Sequence, residues 1–169
     1  MTTLETSAVR PAGKSTRGSR RLSAGEATRS LTLPQLPYAD AVHTELTVTL
    51  MTPGAFEAGI RLGRNGTSEL FMRAVWPVGT ATLSTDVRPA GLTLAWSHVT
   101  GWSAQTADED RVILPVDTLA DPGLIANAAA HFARHGLTRQ WLPPHDARWS
   151  EAVYLDIALV RFDEREGLL

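Results

Sequence analysis

Apolar and polar positions alternate most cleanly at Leu92, Leu94 and Trp96, with Thr93, Ala95 and Ser97 between them. This is the period of a strand with one buried face. Ser97 to Gly101 then reads as a turn and Trp102 to Gln105 as the returning strand, so the segment predicts a hairpin. Glu69 to Trp76, closed by Pro77, predicts another strand, and Ile60 and Leu62 mark a shorter one before it. Arg64-Asn65-Gly66-Thr67 joins those two, because Asn-Gly accepts the positive φ that a tight hairpin turn requires. The Gly-, Thr- and Pro-rich stretch 78–90 reads as a long loop. Asp108-Glu109-Asp110 reads as a solvated turn before a strand over Val112 to Val116.

The pattern changes period at Leu124, Ile125, Ala128, Ala129 and Phe132, which fall on one face of a helix. Asp121 is placed to cap it, Pro122 suits the first helical position and Gly136 the stop, so a helix is predicted over about 121–135. Upstream, Tyr38 and Val42 predict a short helix at about 36–45. The alternation of Leu46, Val48 and Leu50 with Thr47 and Thr49 then predicts a strand at about 45–51. Beyond the break at Pro143-Pro144, residues 150–163 fit a helix, but Val153, Leu155, Ile157 and Leu159 alternate, which favours a strand. The expected fold class is α+β: an antiparallel β-meander with one main helix (about 121–135) packed on it. No internal repeat is visible, and no strand–glycine loop–helix unit points to a doubly wound sheet.

Charge divides the chain in two. Residues 1–33 carry Arg10, Lys14, Arg17, Arg20, Arg21 and Arg29 against only Glu5 and Glu26, whereas acids outnumber bases in 34–169. With no aromatic residue and little apolar periodicity, 1–33 is expected to be a basic low-complexity arm, disordered or held by a partner, ahead of one α+β domain at 34–169. The arm has no unbroken apolar segment of the kind a secretory signal needs; its Arg- and Ser-rich composition also resembles a transit peptide. Arg17, Arg20 and Arg21 are its candidates for contact with nucleic acid or another acidic partner, through salt-sensitive phosphate contacts without base stacking.

The whole chain of 169 residues, 43% hydrophobic and 20% charged, is globular in composition, and no apolar run approaches the roughly 18 residues of a membrane span. The absence of cysteine excludes thiolate metal sites, disulfides and a cysteine nucleophile. His131 and His135 lie four apart on the predicted helix, a two-ligand spacing that His145 and Asp146 could complete. His135, however, continues the row of Leu124, Ala128 and Phe132, which assigns it to the core edge, where a protonated ring would suit the helix dipole. No metal or cofactor is therefore expected. No serine sits in a Gly-x-Ser-x-Gly turn, and Gly59-Ile-Arg-Leu-Gly63 reads as strand rather than a phosphate loop. Trp141 and Trp149 stand in a polar, proline-broken segment beside Arg139 and Arg148, the pairing of residue types that interfaces concentrate.

The run Leu92-Thr-Leu-Ala-Trp96, then Gly101-Trp102, a strand, and Leu119-Ala-Asp121-Pro122 opening an Ala-rich helix, resembles the DUF6292-type actinobacterial domain family of unknown function over about residues 70–135. The resemblance implies a cytoplasmic setting and supplies no activity or site residues. The expected function is a non-enzymatic cytoplasmic protein-interaction or accessory protein. Its contact surface would include Trp141, Trp149, Arg139 and Arg148, and its partner would be another protein or a second copy, with no membrane contact. The alternatives are a nucleic-acid-associated protein using the arm and an enzyme whose site carries no recognisable motif.

Overall fold

Pro37 stands in the first turn of helix α1 (Leu36–Val48), where its fixed φ suits the helix and its missing N–H costs nothing. The computed structural model describes residues 33–63, 66–107 and 111–167. The arm with Arg17, Arg20 and Arg21, the Asp108–Asp110 turn, and Arg64 and Asn65 lie outside the described residues. Five strands follow α1: β1 (Ala55–Leu62), β2 (Ser68–Trp76), β3 (Leu92–Ser97), β4 (Gly101–Gln105) and β5 (Val112–Ile113). They form one sheet in the order β1-β2-β3-β4-β5, every neighbour antiparallel. Helices α2 (Pro122–His135) and α3 (Ala152–Glu166) complete the α+β fold. No helix among the described residues is long and apolar enough to cross a membrane.

The register explains which face carries the core. Met72, Trp96 and Trp102 are opposed across β2, β3 and β4, and so are Ala74, Leu94 and Ala104. All six are buried, in one cluster with Tyr38, Val42 and Leu46 of α1, Ile125, Ala129 and Phe132 of α2, and Leu155 and Phe162 of α3. Full burial of side chains of this size contributes roughly 1.5–3 kcal/mol each. At its centre Tyr38 donates its hydroxyl to Ala120 O (2.7 Å) and accepts from Trp102 Nε1 (3.1 Å). Its ring touches those of Trp96, Trp102 and Trp149. Burial pushes the Tyr38 phenol well above its ordinary pKa, so it stays a neutral donor.

α2 forms where its caps place it. Asp121 Oδ1 accepts from Gly123 N (2.9 Å), Pro122 opens the helix, and Gly136 at φ 64° closes it.

Three expectations need correction. Residues 45–51 are not a strand: α1 runs on to Val48, because Tyr38, Val42 and Leu46 are the buried set at helical spacing, while Val48 and Leu50 are exposed. Thr47 and Thr49 turn their hydroxyls back onto the carbonyls of His43 and Glu45, four residues earlier, inside and at the end of that helix. Residues 150–163 hold no strand but the greater part of α3, which starts at Ala152: Ala152, Leu155 and Phe162 are buried with Ala158 and Leu159 partly so, a helical spacing. The strand expected over Val112 to Val116 is only Val112–Ile113, since Pro115 has no N–H for the ladder and Val116 N bonds Leu114 O in a local turn. The single main helix of the expected meander is thus accompanied by two others.

Candidate binding face of the sheet

Every second residue of the inner strands points away from the helices. On β2 these are Glu69, Phe71, Arg73 and Val75; on β3, Thr93, Ala95 and Ser97; on β4, Ser103 and Gln105. Apart from Pro122 and Leu124 of α2, the buried side chains of α1, α2 and α3 belong to the cluster on the opposite face, and no helix among the described residues covers this one.

Two ion pairs follow directly from the β1–β2 register. Glu57 is opposite Arg73 and Arg61 opposite Glu69. Arg73 Nη2 reaches Glu57 Oε2 at 2.9 Å, and Arg61 Nε reaches Glu69 Oε2 at 3.0 Å. Between them Gly59 faces Phe71, and a Cβ on Gly59 would come within 3.2 Å of the Phe71 ring. The missing side chain lets that ring lie across β1. The Arg61 guanidinium stands over the same ring, 5.3 Å from its centroid.

Glu69 is 9% exposed and fully engaged. Its other oxygen accepts from Ser97 Oγ, which in turn accepts from the N–H groups of Val99 (3.0 Å) and Thr100 (3.3 Å) and so ties the β3–β4 turn. The Arg61 hydrogen bond, aided by that from Ser97, holds the Glu69 carboxyl below its ordinary pKa against the opposing effect of burial.

Two shallow depressions of about 500 and 510 Å³ lie on and beside this face, and Arg61 and Arg111 line both. Arg73, Thr93, Ser103, Gln105 and Thr106 line the first; Thr67, Glu69 and Thr100 line the second. Arg111 donates to Thr100 Oγ1 (3.1 Å) and pairs with no carboxylate among the described residues. Thr106, which is buried, has an Oγ1 without a hydrogen-bond partner.

The serines of this face are committed to structure. Ser103 Oγ donates to Ala95 O (3.3 Å), and Ser97 is held as above. His98 turns to the helix side, where Nδ1 accepts from Leu70 N (3.0 Å) and Nε2 meets Asp163 Oδ1 (3.1 Å). An Nδ1 that accepts fixes the proton on Nε2, which then donates to Asp163.

The residues singled out in the sequence fall elsewhere. Trp141 is buried on Phe132, with Nε1 donating to Asn127 Oδ1 (2.9 Å). Trp149 packs on Tyr38, and its N–H bonds Leu119 O. Arg148 is exposed but clasped, Nε to Asp117 (3.0 Å) and Nη2 to Asp156 (3.0 Å), and these two carboxylates raise its pKa. Arg139 is exposed, and its carbonyl receives the His131 Nε2 proton (3.0 Å). His131 and His135 have ring centroids 4.9 Å apart, but among the described residues no group of three His, Asp or Glu side chains is placed to hold a metal. Partial desolvation, then the cations Arg139, His131 and Arg134, lower the His135 pKa, which opposes the protonated form expected at the helix end.

The sequence contained one signal for this face: Glu69, Phe71, Arg73 and Val75 alternate with the four core positions of β2. Compared with protein families, with curated proteins and with solved structures, the chain shows no match to any of them.

Proposed function

We propose that this chain is a non-catalytic binding protein that holds an acidic segment of a protein partner on the face of its sheet that no described helix covers. The observation that carries the reading is Arg111, a guanidinium with no carboxylate partner among the described residues where the two depressions meet, with Arg61 and Arg73 on the same face. In a domain whose acids outnumber its bases, three arginines on one sheet face attract acidic groups and offer bidentate contacts to carboxylates. Phe71 supplies an apolar platform between them. The reading is non-catalytic because Ser97, Ser103 and His98 are spent on backbone and carboxylate partners, and the unpartnered hydroxyl of the first depression, Thr106 Oγ1, has no base beside it among the described residues. A cytoplasmic setting belongs to the same proposal and rests on the resemblance of residues 70–135.

The test uses the full chain with a labelled oligo-glutamate peptide, followed by fluorescence anisotropy at low and high salt. Binding at low salt that is lost in Arg111→Glu and retained in Arg17→Ala/Arg20→Ala/Arg21→Ala supports the face. Absence of binding overturns it. A single-stranded oligonucleotide that binds more tightly than the peptide, and is released by the triple arginine change, replaces it with the nucleic-acid reading.

A further inference from the structure

α3 carries two apolar faces, and among the described residues only one of them is packed. Leu155 and Phe162 enter the core, yet Val153 (56% exposed), Tyr154 (72%), Ile157 (50%) and Val160 (49%) face out from the same fifteen residues. The spacings from 153 to 157 to 160 are four and three, the seam of a helix that packs along another helix. Tyr154 and Arg161 are seven apart and flank that seam on one side. Arg161 is exposed and has no acidic partner among the described residues.

We propose that α3 is a self-association surface, packing antiparallel against α3 of a second copy with Ile157 at the two-fold axis. The argument is self-complementarity. An isologous contact requires the surface to match itself when reversed. Reversing α3 about Ile157 sets Val153 against the partner copy's Val160 on one flank. On the other it sets Tyr154 against Arg161, an aromatic face against a cation. Each contact occurs twice. The same reversal brings Glu164 toward the start of the partner helix, where the dipole favours a negative charge. The opposite register, with helices parallel, would put Arg161 against Arg161 and Glu164 against Glu164. One short seam falls below the ~1,200 Å² of a standard stable interface, so the dimer is weak and concentration-dependent. This surface is independent of the sheet face and stands or falls without it.

The natural absence of cysteine makes the test direct. In the full chain, Ile157→Cys places a thiol at the two-fold axis, where mild oxidation joins two copies; Thr82→Cys, exposed in the loop after β2, is the control. Rapid crosslinking at Ile157→Cys and little at Thr82→Cys is expected. Sedimentation equilibrium of the unmodified chain, from micromolar to hundreds of micromolar, is expected to show monomer and dimer in exchange. Ile157→Glu should give monomer alone with an unchanged thermal midpoint, and Arg161→Glu should weaken association several-fold. Monomer at every concentration, equal crosslinking at the two thiols, or a dimer that survives Ile157→Glu would each overturn the proposal.

Discussion

On β2, Leu70, Met72, Ala74 and Trp76 are buried under the helices, while Glu69, Phe71, Arg73 and Val75 alternate with them on the face that no described helix covers. The first set is held by packing with α1, α2 and α3. The second is held by cross-strand pairs and hydrogen bonds to turns. A shift of register by one residue would exchange the two sets, which is why the buried set fixes the pairing and the outer set is free to carry chemistry. The difference teaches where substitutions should act. Stability resides on one side of the sheet, and recognition has room on the other.

The largest effect is expected at the centre of the covered side. Trp96→Ala should destabilise by about 3–5 kcal/mol, measured by urea unfolding, because it opens a cavity beside Tyr38 and leaves Thr118 O without the indole N–H that now donates to it at 2.6 Å. A cost below about 1 kcal/mol would mean that the core collapses into the space and that the two sides differ less than their burial indicates.

The next is the cap of α2. Asp121→Ala removes the acceptor for Gly123 N and should cost about 1 kcal/mol, while Asp121→Asn should recover most of it. Equal losses in the two variants would assign the effect to the neighbouring backbone contacts of the Ala147–Trp149 segment instead.

These two elements, the core strands and the capped helix, were the legible part of the sequence. A strand with one wet face repeats every two residues, and α2 has both caps in place and a single apolar face. The sequence of α3 reads as a strand for a physical reason. Its core stripe, with Leu155 and Phe162, and its outward stripe, with Val153, Ile157 and Val160, interleave along the chain, and the sum of two helical stripes imitates strand alternation. Trp141 and Trp149 drew attention because aromatics beside arginines in a proline-broken segment resemble an interface. The bridge between Ala120 and Arg148 instead folds that segment back onto the start of α2. The arginines of the open face are invisible as a group in the sequence, since Arg61, Arg73 and Arg111 are scattered along the chain and only the folded sheet brings them to one depression.

Glu69 tests the boundary between the two sides, being on the open face yet nearly buried. Its carboxyl has a folded-state pKa below that of the unfolded chain, so its stabilising contribution is complete above the ordinary glutamate value of 4.5 and is lost as pH falls through the folded value. Glu69→Gln should therefore cost about 0.5–1 kcal/mol at neutral pH. Its difference from the parent should shrink in acid, as read from thermal midpoints across that range. A difference that stays constant with pH would show that folding does not lower the Glu69 pKa and that the amide is penalised for its geometry rather than for its missing charge.

The smallest effect belongs to the pair that lies wholly on the open side. Glu57 and Arg73 touch at 2.9 Å, but both side chains are about half exposed, 49% and 48%. Water screens the attraction, and holding two long side chains in one geometry costs rotamer freedom, so a double-mutant cycle with Glu57→Gln and Arg73→Gln should give a coupling of about 0.3 kcal/mol. Because the Debye length shortens as ions are added, the coupling should vanish in molar salt. Arg73→Gln alone should leave the thermal midpoint almost unmoved while weakening the oligo-glutamate peptide several-fold. A coupling above about 1 kcal/mol that persists in high salt would mean that the pair is part of the fold rather than a recognition surface, and the contrast between the two faces would have to be redrawn at β1.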